Sequence, residues 1–311
     1  MPVPSFVLDP IVRRRLRLRD LEPARFEIRV ARTERDYEHA FRLVHAAYVT
    51  QGVQPLDRWD VRVTEQHVLP ETTVLVAYED ERFVGTMTVT LDSPAGLPAQ
   101  HDYPQAIEER RAMGRRLAEL GSFAIVRRCR GSGVAQLLSM AAARIAFRLQ
   151  GADELVCGMT PSAFAFYRAV WGFQALGEPV RHSELVTPTV GIALPRDRLL
   201  THLRRHYPRR LPTGHTMEEH IFGPVAHLPG FALPEALEAD ALARWKMSRQ
   251  VFRSLFRRRS DRLDTLSPAT LAYLRRKRSD ETLGRIPTDC EWDKKSVRTP
   301  MEVKDGRRVT G

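Results

Sequence analysis

The sequence predicts an α/β fold, helices laid on a sheet, that closes near residue 195 and is followed by a helical extension. Three observations carry this. Strand-like and helix-like apolar periods follow one another as β-α-β-β-α-β-α-β-β up to that point, the order expected of a sheet covered by helices. An apolar run, Phe123-Ala124-Ile125-Val126, meets a glycine-rich turn, Arg130-Gly131-Ser132-Gly133, and then a stripe of Val134, Leu137, Leu138, Ala141, Ile145 and Leu149 at helical spacing. The charge also changes character: residues 1–195 carry 24 basic and 23 acidic side chains, and residues 196–311 carry 25 and 15.

Residues 1–25 are rich in Pro and Arg and are expected as a basic arm. Phe26 to Val30 alternates as a first strand. Thr33 is the expected N-cap of a helix to Tyr48, with Tyr37, Ala40, Phe41, Val44 and Ala47 on one face. A polar loop over 49–70 holds Asp57, Trp59 and Asp60. Val74 to Tyr78 is a strand, Glu79-Asp80-Glu81 turns it, and Val84 to Leu91 returns. In that strand Met87, Val89 and Leu91 face the core, while Thr86, Thr88 and Thr90 face solvent or a cleft. Asp92 to Pro98 is a loop, a short helix falls within 99–116, and Leu117 to Val126 leads into the glycine turn. Leu155 to Cys157 is a short strand, 160–171 a helix, and Phe173 to Glu178 and Leu185 to Leu194 are the last two strands. Residues 26–195 thus form the main domain and 196–278 a basic helical appendage. There a stripe of Leu237, Ala241, Trp245, Ser248, Phe252 and Leu255 ends in Arg257-Arg258-Arg259, where positive charge suits the helix dipole. Ser267-Pro268 opens a further helix to Arg278. The tail, 279–311, has few large apolar residues and is expected to be loosely ordered.

The chain has 311 residues, 43% of them hydrophobic, enough for a packed core. Its three cysteines, Cys129, Cys157 and Cys290, lack the paired spacing of a disulfide framework or zinc site, and no metal is expected. No run approaches the roughly 18 apolar residues of a membrane span. The Arg run at 13–19 has no apolar stretch of a secretory leader behind it, so a cytoplasmic protein is expected. Lysine is absent before Lys246, which excludes a lysine Schiff base in the main domain. A cysteine nucleophile needs a histidine beside it, and no spacing rule links His182 to Cys129 or Cys157. The basic back half suits an acidic protein partner, nucleic acid or an anionic membrane; the plain alternative is solvated arginine on helices.

Glycines 131 and 133 remove Cβ atoms where a ligand approaches the backbone, and free amides at a helix start attract phosphate. Arg128 and Arg130 add positive charge at the same end. The spacing Arg130-x-x-Gly133-x-Ala135, with a second register at Arg128, Gly131 and Gly133, is followed by Phe166-Tyr167 and Gly172-Phe173. On these two blocks, residues 26–195 resemble the GNAT N-acyltransferase superfamily. Three further features resemble its FeeM-like branch of long-chain N-acyl amino acid synthases, relatives of the acyl-homoserine-lactone synthases. They are Gly85 to Val89 running into Asp92-Ser93 and Gly96-Leu97-Pro98, then Ala118-Glu119-Leu120, and Pro161 after the next strand. The branch carries Glu-Leu/Ile-Ser-Arg where this chain has Glu119-Leu120-Gly121-Ser122, so the arginine is missing. The resemblance does not reach residues 196–311.

The resemblance implies a GNAT-like mixed, mostly antiparallel sheet flanked by helices. It also implies direct acyl transfer from an acyl-CoA, or from the phosphopantetheine thioester of an acyl carrier protein, to the amine of an amino acid or similar small molecule. The amides of Gly131, Ser132, Gly133, Val134 and Ala135, with Arg128 and Arg130, would cradle the donor phosphate. Strand amides at Ala124 and Ile125 would pair with the pantetheine arm and polarise the carbonyl. Glu119 would be the base and Tyr167 the acid for the leaving thiolate. The plain alternatives are an ion pair of Glu119 with Arg115 or Arg116, and Tyr167 as a core aromatic. Asp57 and Asp60 are surface charges or ligands for the acceptor ammonium; Tyr48 is core or cleft. Two other functions stay open: an acetyl-CoA-dependent N-acetyltransferase, and a catalytically weak module whose basic tail binds nucleic acid or membrane. A long apolar tunnel separates the first reading from the second.

Overall fold

In the computed structural model the described residues are 5–16, 22–53, 60–181, 186–223, 247–248, 251, 254–255 and 266–280. Their centre is an eight-stranded sheet: β1 (Glu27–Val30), β2 (Thr72–Glu79), β3 (Arg82–Leu91), β4 (Leu117–Ile125), β5 (Glu154–Met159), β6 (Gln174–Ala175), β7 (Val180–Arg181) and β8 (Pro188–Pro195). The order is β1-β2-β3-β4-β5-β8-β6, with β7 on β8. The pairings are antiparallel except that of β4 with β5.

The period-2 pattern of β2 explains the layers. Leu75 and Ala77 point to one face and join Val134, Leu137, Leu138 and Ala141 of α5 (Val134–Ala143) in the main core. Val74 and Val76 point to the other and meet Tyr37 and Phe41 of α2 (Glu34–Thr50). Thr33 caps α2: its hydroxyl accepts from the Asp36 amide at 3.1 Å, and Asp36 accepts from the Thr33 amide at 3.0 Å. Such a cap stabilises a helix by about 1 kcal/mol. The Glu79-Asp80-Glu81 turn holds Asp80 and Glu81 at φ 47° and 61°, the left-handed pair that matches hairpin twist.

Four segments differ from the sequence reading. The strand expected from Phe173 to Glu178 is only the two-residue β6, and β7 follows it as a separate short strand. Part of the expected arm is a helix, α1 (Ser5–Arg15), tied to α6 (Pro161–Trp171) by Arg13 donating to the Ala169 carbonyl at 3.1 Å and Arg168 to Asp9 at 3.0 Å. The polar stretch after Pro98 holds two helices, α3 (Ala99–Asp102) and α4 (Pro104–Ala112). The chain past residue 195 continues the core: Leu199 and Leu203 of α7 (Arg196–His206) and Met217 and Ile221 of α8 (Met217–Phe222) belong to the α5-side cluster. The helix Pro268–Asp280 lies on the α2 side, where Tyr273 and Leu274 join Phe41 and Val76. Leu237, Ala241, Trp245, Phe252, Arg257, Arg258, Arg259 and the tail from 281 lie outside the described residues. No described helix is long and apolar enough to cross a membrane.

Candidate active site

β4 and β5 run side by side for only three rungs, Leu117–Glu154, Ala118–Leu155 and Glu119–Val156. Beyond Glu119 the strands part, so the edge of β4 from Leu120 and that of β5 from Cys157 face a gap. A cavity of about 410 Å³ fills it. Its wall takes side chains from both sides of the sheet. Thr88, Thr90 and Tyr48 lie on the α2 side; Ala143, Trp171, Phe173, Leu194 and Leu199 form an apolar end on the α5 side, with the Ser139 hydroxyl beside it. Thr88 and Thr90 therefore face the cleft, while Thr86 is buried and donates to the Leu75 carbonyl at 2.8 Å.

Glu119 lies in this wall, 6% exposed, and its Oε2 accepts from the Ala99 amide at 2.8 Å. Burial pushes its carboxyl up to about 8, against the pull of that hydrogen bond, and the charges of Asp102 and Asp92 add to the rise. The alternative, an ion pair of Glu119 with Arg115 or Arg116, does not form. Arg115 donates to Glu154 at 2.6 Å, alongside Arg110 at 3.0 Å, and the Arg116 amide donates to Asp153 at 2.8 Å. Tyr167 of α6 lines the same cavity, with edge-on ring contacts to Phe166 and Phe173. Burial first, then the charges of Cys157 and Tyr48, raises its phenol and keeps it protonated. Cys157 lines the same cavity. Burial raises its thiol as well, which removes the thiolate that a nucleophile requires.

The glycine turn lies at the other end of β4. Gly131 and Gly133 sit at φ 82° and 94°, and α5 starts at Val134 with no side-chain cap. The Val134 and Ala135 amides thus open the helix with no intrahelical acceptor. Ser132 departs from the expected cradle: its amide donates to the Cys129 carbonyl at 3.3 Å and its hydroxyl to the same oxygen at 2.7 Å. Arg128 and Arg130 are exposed beside the turn. The strand amides divide. Val126 donates to Val84 at 2.9 Å, so by antiparallel alternation Ala124 also faces β3, and the Ile125 amide faces the gap. Residues 128–135 are not part of the cavity wall. Six steps of strand lead from Ile125 back to Glu119, about 20 Å at roughly 3.3 Å per residue.

The structure adds residues that spacing did not single out. Ser122 stands where the branch has its arginine, and the cavity receives a guanidinium from Arg62 instead, whose Cζ is 5.3 Å from the centre of the Tyr48 ring. Arg62 is the one Arg or Lys in the wall among the described residues. Buried His67 is in the wall too, its Nε2 3.1 Å from Ser122 Oγ. Asp60 is exposed and outside the wall; Asp57 lies outside the described residues.

Residues 39–195 match the model of a family described as N-acyl amino acid synthase FeeM. No curated protein matches the chain. Among solved structures, FeeM itself, an N-acyl amino acid synthase from uncultured soil microbes, is 22% identical over 57% of this chain and 94% of its own, with a TM-score of 0.51. The acyl-homoserine-lactone synthase LasI is 13% identical over 65% and 96%, with a TM-score of 0.45. An acyl-CoA N-acyltransferase from Pseudomonas aeruginosa is 16% identical over 54% and 98%, with a TM-score of 0.37.

Proposed function

The chain belongs to the FeeM family of N-acyl amino acid synthases and is a GNAT-type N-acyltransferase, and from that premise we propose that it moves a long-chain acyl group from an acyl carrier protein or acyl-CoA thioester to the amine of an amino acid. The observation that carries this reading is the cavity's apolar end, built from Trp171, Phe173, Leu194 and Leu199. A two-carbon acyl group has no use for that wall, which favours the long chain over the acetyl-CoA alternative. Arg62 supports an amino acid acceptor, since a guanidinium pairs two-pronged with a carboxylate.

In this reading the Val134 and Ala135 amides, with Arg128 and Arg130, hold the donor phosphate. The pantetheine arm lies along the open edge of β4 and takes the Ile125 amide. The roughly 20 Å of strand from Ile125 to Glu119 leads the arm's thioester end to the carboxyl. An acceptor ammonium entering beside Glu119 favours the carboxylate over the buried acid. Glu119 takes one proton from that ammonium, directly or through water, which frees the lone pair that attacks; the nitrogen sheds its second proton to solvent as the new C–N bond forms. The C–S bond breaks and Tyr167, still protonated, supplies the proton to the thiolate. We assign the acyl-transfer chemistry to residues within 26–195, on a core that continues into α7 and α8, and carrier-protein attraction to the basic chain behind it.

The test is direct. The full chain is incubated with a mixture of the common amino acids and, in turn, palmitoyl-CoA, palmitoyl carrier protein and acetyl-CoA, and products are weighed by mass spectrometry. N-palmitoyl amino acids are expected. N-acetyl products alone would overturn the chain-length assignment, and no product from any donor the function itself.

A further inference from the structure

The register of β3 with β4 breaks at one place. Thr88 faces Gly121 and Thr86 faces Ala124, so Ser122 and Phe123 stand opposite the single residue Met87. This is a β-bulge, with Ser122 at φ 45°. In a regular strand Ser122, three residues from Glu119, would point to the opposite face. The bulge re-aims it onto the Glu119 face, where its hydroxyl meets His67 in the cavity wall.

A serine beside a buried histidine suggests a nucleophile and its base. The hydrogen bonds assign the opposite roles. The Thr64 amide donates to His67 Nδ1 at 2.9 Å, and the Thr64 hydroxyl lies 2.9 Å from the same nitrogen; the hydroxyl can donate or accept, but an amide N–H can only donate, so Nδ1 carries the lone pair. Burial above all, with the Arg62 charge added, holds the ring down to about 3, hence neutral. A neutral ring with a bare Nδ1 has its hydrogen on Nε2. Nε2 therefore donates to Ser122 Oγ and has no lone pair with which to take the serine proton. The Ser122 hydroxyl accepts from His67 and keeps its own hydrogen to give away.

We propose that Ser122 is a hydrogen-bond donor to the thioester carbonyl oxygen, set in direction by His67 as a positioning residue. The proposal rests on the acyl-transfer reading above. As the amine nitrogen attacks, the carbonyl π electrons move to oxygen; the Ser122 O–H bonds to that oxygen, and they return as the C–S bond breaks. No bond forms to Ser122, and its proton stays in place. A donor aimed where charge develops in a dry site acts on the chemical step, not on binding.

Two measurements on the full chain test this. The first is read on resting protein: ¹⁵N NMR of its histidines, with His67 assigned by the signal lost in His67→Gln. A neutral Nε2–H ring between pH 5.5 and 8 is expected; an Nδ1–H ring, or an imidazolium near pH 6, overturns the proposal. The second uses whichever donor yields product. Ser122→Ala should lower kcat about 10²-fold or more, as removal of an oxyanion donor does, with KM nearly unchanged. His67→Gln keeps a donor near the Nε2 position and should retain most of kcat. His67→Asn keeps only the acceptor for Thr64 and should lose kcat like Ser122→Ala. Equal kcat in wild type and Ser122→Ala, or an acyl adduct on Ser122, overturns the proposal. An inactive wild type sinks the acyl-transfer reading instead, and the NMR measurement still decides the His67 geometry.

Discussion

Glu119→Gln separates a buried catalytic carboxyl from a merely structural one. Its pKa in the folded chain, about 8, stands above the ordinary glutamate value of 4.5. A carboxyl raised in this way binds its proton more tightly in the folded chain. It therefore favours folding below pH 4.5, and that contribution is lost as pH rises from 4.5 through 8. At about 1.4 kcal/mol per pH unit the loss is roughly 5 kcal/mol, on the scale of a domain's whole stability of about 5–15 kcal/mol. Glutamine stays neutral at every pH and has no such loss, while the other titrating groups are shared. Denaturant midpoints for both proteins at pH 5 and pH 9 give the difference. Wild type should lose several kcal/mol more than Glu119→Gln over that interval. In the kinetic assay the same residue gives kcat/KM a rising limb near pH 8, and Glu119→Gln should fall by about 10²–10⁴-fold. Parallel stability losses in the two proteins, with similar kcat, would refute both the buried acid and the base.

Tyr167→Phe should lower kcat by about 10²–10⁴-fold with circular dichroism unchanged; near-wild-type turnover would leave Tyr167 as a core aromatic. Gly133→Val forces a β-branched residue to φ 94° at the donor turn, so calorimetry should show weakened CoA binding, and unchanged affinity would remove the cradle assignment. Ending the chain near Pro195 deletes Leu199, Leu203, Met217 and Ile221 from the core, at about 1.5–3 kcal/mol each, and should unfold the protein. The test of carrier recruitment is instead Arg257, Arg258 and Arg259 to Glu in the full chain. It should raise KM for palmitoyl carrier protein more than for palmitoyl-CoA, and moderate salt should do the same to wild type, since exposed charges are screened beyond about 10 Å at 0.1 M. Equal rises for both donors would argue against carrier recruitment.

What the sequence disclosed depended on how local the signal was. Thr33 with Asp36 is a cap three residues long, and the Met87/Thr88 alternation is a strand period; both could be read directly. Glu119 and Tyr167 came from blocks that mark their strand and helix, and both line one cavity. Ser122 read as a departure because the bulge that turns it depends on the register with β3, which a single strand does not carry. His67 and Arg62 come from a loop without periodicity, and only packing against α2 brings them to the cavity. The end of the core at residue 195 was a boundary of charge. Leu199 and Leu203 are flanked by arginines and histidines, so composition hid the apolar stripe that α7 buries.

The short seam between β4 and β5 also bears on turnover. A pantetheine arm brings amide groups of its own, so a donor seated along β4 supplies rungs that the protein omits. Docking then resembles the zipping of a sheet, and departure of the spent carrier its local unzipping. Amide hydrogens that face the gap, that of Ile125 among them, become reporters of occupancy, slowed in exchange when the seam is closed. The enzyme would then turn over no faster than its own sheet can open.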